Sequence, residues 1–349
     1  MAVSAMSTDS RRQIRVLVQD GRARSDSEPL IAHVAFHLGR CGIRLDRARV
    51  NRRPRRPYED YTALIATSDY PVELRKRLDC YGKSRSAMPS RPESLEWLQQ
   101  AGIPTMRWSL ARDHRELDDL FERWKTDAVL LKPSGSLGGT SVSLFTRHRA
   151  PEIEWNPGRD VFCPEVNPND GDICKLEMFG PTVLLGWRSR VLPARSRMSE
   201  GLAQGLFGAY GVRELFDWHG EMLEAARRFG EFALDRGYGH MSLDFMRNPE
   251  GRFEAIEVNL GNVALWWTSQ FRSFRRRYAR GVHGMLVEKH GAPATLAPVR
   301  VRLRNILSWG VLMKPKLIGR EIQAARFRRR YSDELVSLHG ASPLLEEPK

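Results

Sequence analysis

Three oxygen-bearing side chains, Asp244, Glu257 and Asn259, stand on two apolar stretches joined by turn residues. Residues 241–262 read MSLDFMRNPEGRFEAIEVNLGN. Leu243, Phe245 and Met246 form one apolar run, Asn248-Pro249-Glu250-Gly251 supplies a turn, and alternation resumes from Phe253 to Val258. A hairpin brings Asp244 beside Glu257 and Asn259, and the two-residue side-chain period puts the latter two on one face. Two carboxylates and an amide oxygen make a hard, oxygen-only donor set, the kind Mg²⁺ takes together with substrate phosphates. The bland alternative for the same residues is solvated carboxylates at strand ends.

A second segment, residues 128–145 (AVLLKPSGSLGGTSVSLF), bears on that choice. Residues 129–131 read as a buried strand, 134–139 as a small-residue loop and 141–145 as a second strand. A Walker A loop needs a helix after its glycines and a closing Lys-Ser/Thr pair; here the lysine precedes the loop. Gly135, Gly138 and Gly139 allow close backbone approach to a polyphosphate, with Ser134 and Ser136 on either side of Gly135, and Lys132 adds a point charge from the preceding strand. The segment reads as a flexible phosphate lid, or on its own as an ordinary glycine loop.

In this order and at this separation, the two segments resemble the ATP-grasp superfamily, in the branch with glutathione synthetases, D-alanine–D-alanine ligases and RimK-type glutamate-adding enzymes. The resemblance spans residues 89–267. It implies an ATP-grasp fold of α/β and α+β class: a Rossmann-like N-terminal (pre-ATP-grasp) domain over 1–88, a small lid subdomain over 89–164, a large subdomain with the Mg²⁺ site over 165–292, and a basic helical C-terminal extension over 293–349. Residues 95–104 (LEWLQQAGIP) match the helix and turn that open the nucleotide-binding region. Lys132 and the glycine loop match the phosphate lysine and lid, and Glu165 and Val166, after Pro164, match the hinge at the adenine edge. Asp170 or Asp172 falls where ribose and substrate contacts are expected, and Lys175 follows among the ATP-binding candidates. Asp244, Glu257 and Asn259 match the Glu-x-Asn metal site, so ATP and Mg²⁺, or Mn²⁺ in its place, are the implied cofactors. Where the family commonly carries a lysine before the AGIP-like turn, this chain has Arg91, which keeps the charge and adds a bidentate fork. An arginine beyond the next strand holds the transferring phosphoryl in the family. Arg188 and Arg190 both qualify, and alternation puts them on one face.

The activity so implied is amide- or peptide-forming ligation through an acyl phosphate, joining a small-molecule or peptide carboxylate to an amine. A phosphotransferase acting on a hydroxyl and an ATP-regulated polyanion- or membrane-surface-binding protein are the competing readings.

The elements that must position these residues alternate along the chain. Residues 14–19 read as a strand, 30–41 as a helix and 63–67 as a strand, a small α/β unit with no GxGxxG to support dinucleotide binding. Residues 52–57 (RRPRRP) must form a loop. The length of 349 residues suits two to three domains. No apolar leader or run of about eighteen apolar residues occurs, so a cytoplasmic protein without a membrane span is expected; a homo-oligomer is expected as well. Cys41, Cys80, Cys163 and Cys174 lack CxxC spacing and form no evident disulfide or zinc pattern, as suits a reducing compartment.

The net charge of +14 invites a nucleic-acid or membrane reading. Phe271, Phe274, Tyr278, Val282, Met285 and Leu286 recur at helical spacing beside Arg272, Arg275, Arg276, Arg277 and Arg280. This predicts a basic amphipathic helix whose stripe is core and whose arginines form a solvated flank. An ATP site also favours positive potential, so the charge does not discriminate. Trp266 and Trp267 read equally as an aromatic wall to the acceptor site or as core.

Overall fold

The computed structural model describes residues 14–20, 28–49, 53–67, 70–82, 88–134, 142–164, 172–190, 202–204, 213–215, 220–261, 268–269 and 271–298. The C-terminal segment from 299 onward and Trp266-Trp267 lie outside them.

The chain opens with β1 (Arg15–Asp20), α1 (Glu28–Arg40), β2 (Arg44–Arg49), β3 (Ala63–Ala66) and β4 (Asp79–Tyr81). The four strands form a parallel sheet in the order β2-β1-β3-β4, which bears out the small α/β unit. Val16, Leu17 and Val18 are almost fully buried, as befits a central parallel strand covered on both faces.

Next come α2 (Arg91–Gln100) and α3 (His114–Trp124). Ser90 closes a capping box with Glu93 at the start of α2, and Leu95 and Leu98 turn its apolar side inward. α3 is capped by Asp113, whose carboxylate accepts from the Glu116 N–H. β5 (Ala128–Lys132), β6 (Ser143–Thr146), β7 (Val161–Pro164) and β10 (Leu202–Gln204) make an antiparallel sheet in the order β10-β6-β5-β7. Alternation along β5 sends Val129 and Leu131 into the core under α3, with Leu120 and Phe121, and leaves Leu130 and Lys132 on the other face.

The third sheet is built from β8 (Asp172–Phe179), β9 (Thr182–Arg190), β11 (Arg213–Leu215), β12 (His240–Arg247) and β13 (Phe253–Leu260), in the order β11-β9-β8-β12-β13. α4 (Gly220–Leu234) packs on one face against Leu176, Met178, Met241 and Leu243. α5 (Arg272–His290) lies across part of the other face, where a Cβ on Gly281 would meet Thr182 and Phe179. α5 also packs along α1, so one apolar core runs from β1 and α1 through α5 to Leu185 and Trp187 of β9.

The predicted amphipathic helix is therefore α5, and its stripe is core: Phe274, Tyr278, Val282, Met285 and Leu286 are all buried. The expected solvated flank needs correction. Arg275 is 1% exposed and Arg277 is half-buried, with Nη1 3.5 Å from the Leu184 carbonyl. Arg272 and Arg280 remain exposed, as the pattern predicted; Arg275 and Arg277 are covered because α5 packs against both the third sheet and α1.

Candidate active site

Register builds the site. Glu257 stands opposite Asp244, Asp244 opposite Lys175, and Lys175 opposite Trp187. Residues directly opposed across an antiparallel pair share a face, so these four side chains form one row across β13, β12, β8 and β9. The adjoining row on the same face is Asn259, Ser242, Glu177 and Leu185. The β12–β13 ladder slips between Asp244 and Phe245, leaving Ile256 as an extra residue, so the sheet bulges at the carboxylates.

Within the rows, Lys175 Nζ lies 2.8 Å from Asp244 Oδ1, and Asn259 Nδ2 donates to the same oxygen at 3.3 Å. Behind them, wholly buried Glu177 sits 3.1 Å from His240 Nε2 and accepts from Trp187 Nε1 at 3.5 Å. Burial pushes the Asp244 carboxyl up to about 6, with Lys175 pulling it down and Glu257 pushing it further up. Burial would lower the Lys175 ammonium, yet Asp244 and Glu177 outweigh it and hold Lys175 above its usual range. At neutral pH the pair is ionic. The carboxylates of Asp244 and Glu257 and the amide oxygen of Asn259 offer the hard donors that a magnesium ion requires, with Lys175 already compensating one of them.

Opposite this face stands the small sheet. Lys132 is buried, its Nζ 3.3 Å from Met106 Sδ. Burial lowers its pKa; Cys163 opposes that effect, Arg91 adds to it, and Glu257 and Asp244 oppose it from across the cleft. Arg91 opens α2 with Nη2 3.7 Å from Glu257 Oε1. The structure thus brings together Arg91 from α2, Lys132 from the small sheet, and Lys175, Asp244, Glu257 and Asn259 from the third sheet. Ser134, at the root of the glycine loop, is tied to the residue just before β7: its N–H donates to Asp160 Oδ1 at 2.8 Å, while Asp160 Oδ2 accepts from Asn156 N at 2.8 Å and Nδ2 at 3.3 Å. Asp160, 3% exposed, was not legible as a site residue, because Ser134, its partner at the glycine loop, lies 26 positions away in sequence.

Arg188 is not brought to this group. It pairs with Cys174, one position along from Lys175, so it lies on the α4 face of the sheet. Alternation alone could not say which face of the sheet Arg188 takes. Asp172 and Arg190 pair at one end of β8 and β9, and their side chains are outside the described residues, as are Gly135, Ser136, Gly138, Gly139, Glu165, Val166 and Asp170.

Comparison with solved structures places this geometry. D-cycloserine synthetase DcsG matches with a TM-score of 0.54 at 15% identity, over 78% of this chain and 99% of that one. A RiPP-associated ATP-grasp ligase from Chryseobacterium gregarium, in complex with ADP and a leader and core peptide, matches with 0.54 at 12%, over 82% and 100%. Macrocyclase MdnC, bound with precursor peptide MdnA from Microcystis aeruginosa MRC, matches with 0.53 at 10%, over 78% and 100%. No family model matches the chain, and no curated protein does. The fold is the ATP-grasp fold, as the sequence motifs implied. No helix among the described residues is long and apolar enough to cross a membrane.

Proposed function

We propose that this chain is an ATP-dependent carboxylate–amine ligase. The observation that carries the reading is the convergence of Lys132 and Arg91 from one side of the cleft on Asp244 and Glu257 from the other. Cations and carboxylates facing each other across two sheets suit a metal-bound triphosphate better than any uncharged ligand.

Lys132 and Arg91 hold phosphate oxygens, and the loop with Ser134, Gly135, Ser136, Gly138 and Gly139 covers them. Glu165 and Val166 meet the adenine, Asp170 or Asp172 the ribose or substrate. Asp244, Glu257 and Asn259 would hold Mg²⁺, which when bound supplies charge neutralisation at the phosphates. Lys175, rather than Arg188, is the cation on the reacting face, placed to stabilise negative charge on the transferring phosphoryl.

The reaction is an in-line transfer. A substrate carboxylate oxygen attacks the γ-phosphorus and ADP leaves. An amine nitrogen then attacks the acyl carbon, inorganic phosphate leaves, and the amine proton passes to solvent or base. Two of the structural neighbours are complexes with peptides, which favours an amino-acid or peptide carboxylate as acceptor here.

The test is product analysis with hydroxylamine as trapping amine. Hydroxamate formed in step with ADP and free phosphate is the expected result. A stable phosphate ester without free phosphate would establish a kinase instead, and pyrophosphate would overturn both.

A further inference from the structure

Away from the nucleotide cleft, three donor side chains converge where α1 meets α5. His37 lies near the end of α1, Cys41 follows four positions later just past that end, and His283 projects from α5. His283 Nδ1 is 3.3 Å from His37 Nε2 and 3.9 Å from Cys41 Sγ, and the three donor atoms lie within 4.8 Å of one another. A tetrahedral zinc ion with bonds of about 2.0–2.3 Å separates its ligand atoms by roughly 3.3–3.8 Å. The group already stands close to that spacing.

A backbone contact orients it. His283 Nε2 lies 2.8 Å from the Pro293 carbonyl oxygen, to which it donates; the proton is thereby fixed on Nε2, and Nδ1 is left as a bare lone pair toward His37 and Cys41. Anchoring the distal nitrogen on a backbone carbonyl is how proteins aim a ligating imidazole. Cys41 is buried and in no disulfide. Among the described residues this is the one group of histidine, cysteine and carboxylate side chains with such spacing.

We propose that His37, Cys41 and His283 bind one thiophilic divalent ion of the zinc class, with a fourth position left to water, as a clasp between the N-terminal sheet unit and α5. Binding forms two metal–nitrogen bonds and one metal–sulfur bond and releases the Cys41 thiol proton to solvent. Its hard-oxygen counterpart in the cleft would select a different metal, so the two sites do not compete.

The experiment uses the full chain, stripped with EDTA and titrated with Co²⁺ in the absence of Mg²⁺ and ATP. The expected result is a thiolate-to-cobalt absorption band that saturates at one equivalent and is abolished by Zn²⁺. Cys41→Ser should lose the band, and His283→Gln should lose saturable binding, each keeping the metal-free melting profile. Should either variant fail to fold, alkylation of the unmutated chain decides: Zn²⁺ should protect the Cys41 peptide from iodoacetamide. No thiolate band, a band that survives Cys41→Ser, or unprotected Cys41 would overturn the proposal.

Discussion

Lys175 and Asp244 are paired on neighbouring strands at 2.8 Å, each side chain only about a tenth exposed, at the point where the sheet bulges. Such a pair is costly to break, because the surviving charge keeps its burial and loses its partner. Lys175→Met should therefore lower stability by about 3 kcal/mol and nearly abolish turnover. Adding Asp244→Asn to it should restore most of the stability and none of the activity. Urea melts of the single and double variants check this, and additive losses would show the two groups to be uncoupled. Arg188→Met, on the other face, should keep most of its turnover.

Glu257 is more exposed than Asp244 and is contacted by Arg91 at 3.7 Å. Glu257→Gln should keep the fold and lose turnover by about two orders of magnitude or more, since one missing anionic ligand disorders both metal and phosphates. Turnover against Mg²⁺ concentration, measured beside thermal melting, reads both. Near-normal rates would remove Glu257 from the site.

Lys132 titrates below its usual 10.5 because it is buried. The unfolded chain then binds its proton more tightly than the folded chain, so native stability rises with pH between the lowered value and 10.5 and is lost as pH falls through that interval. Lys132→Met should flatten this rise while weakening ATP binding. A melting series from pH 7 to about 10.5, with nucleotide titration at pH 7, tests both arms.

Asp160 fixes the root of the glycine loop through Ser134 and Asn156. Asp160→Ala leaves two backbone donors without their acceptor and should cost about 2 kcal/mol. It should also raise KM for ATP more than it lowers kcat, because the loop's anchorage, not its chemistry, is removed. An unchanged KM would show that the loop keeps its seat without Asp160.

Much of this site was legible because the period of a strand is so strict. Asp244, Glu257 and Asn259 came together as the hairpin pattern required, and Lys132 fell on the cleft face of β5 by the same alternation. The sheet to which Arg188 belongs was equally legible, but which side of it faces the cleft depends on where α4 and α5 pack, and that is set by contacts distant in sequence. The cluster of His37, Cys41 and His283 escaped for the same reason: Cys41 and His283 are 242 positions apart, and spacing rules for cysteine see only neighbours. Arg275 shows the converse, a charge that local pattern assigns to water and that tertiary packing encloses.

The core shared by α1, α5 and β9 makes the leading α/β unit a permanent wall of the molecule, unlike a module on a tether. Excising it would uncover the side of α5 that packs on α1 and present apolar residues to water. Exchanging the leading unit for an unrelated one would therefore cost solubility through the apolar surface it uncovers.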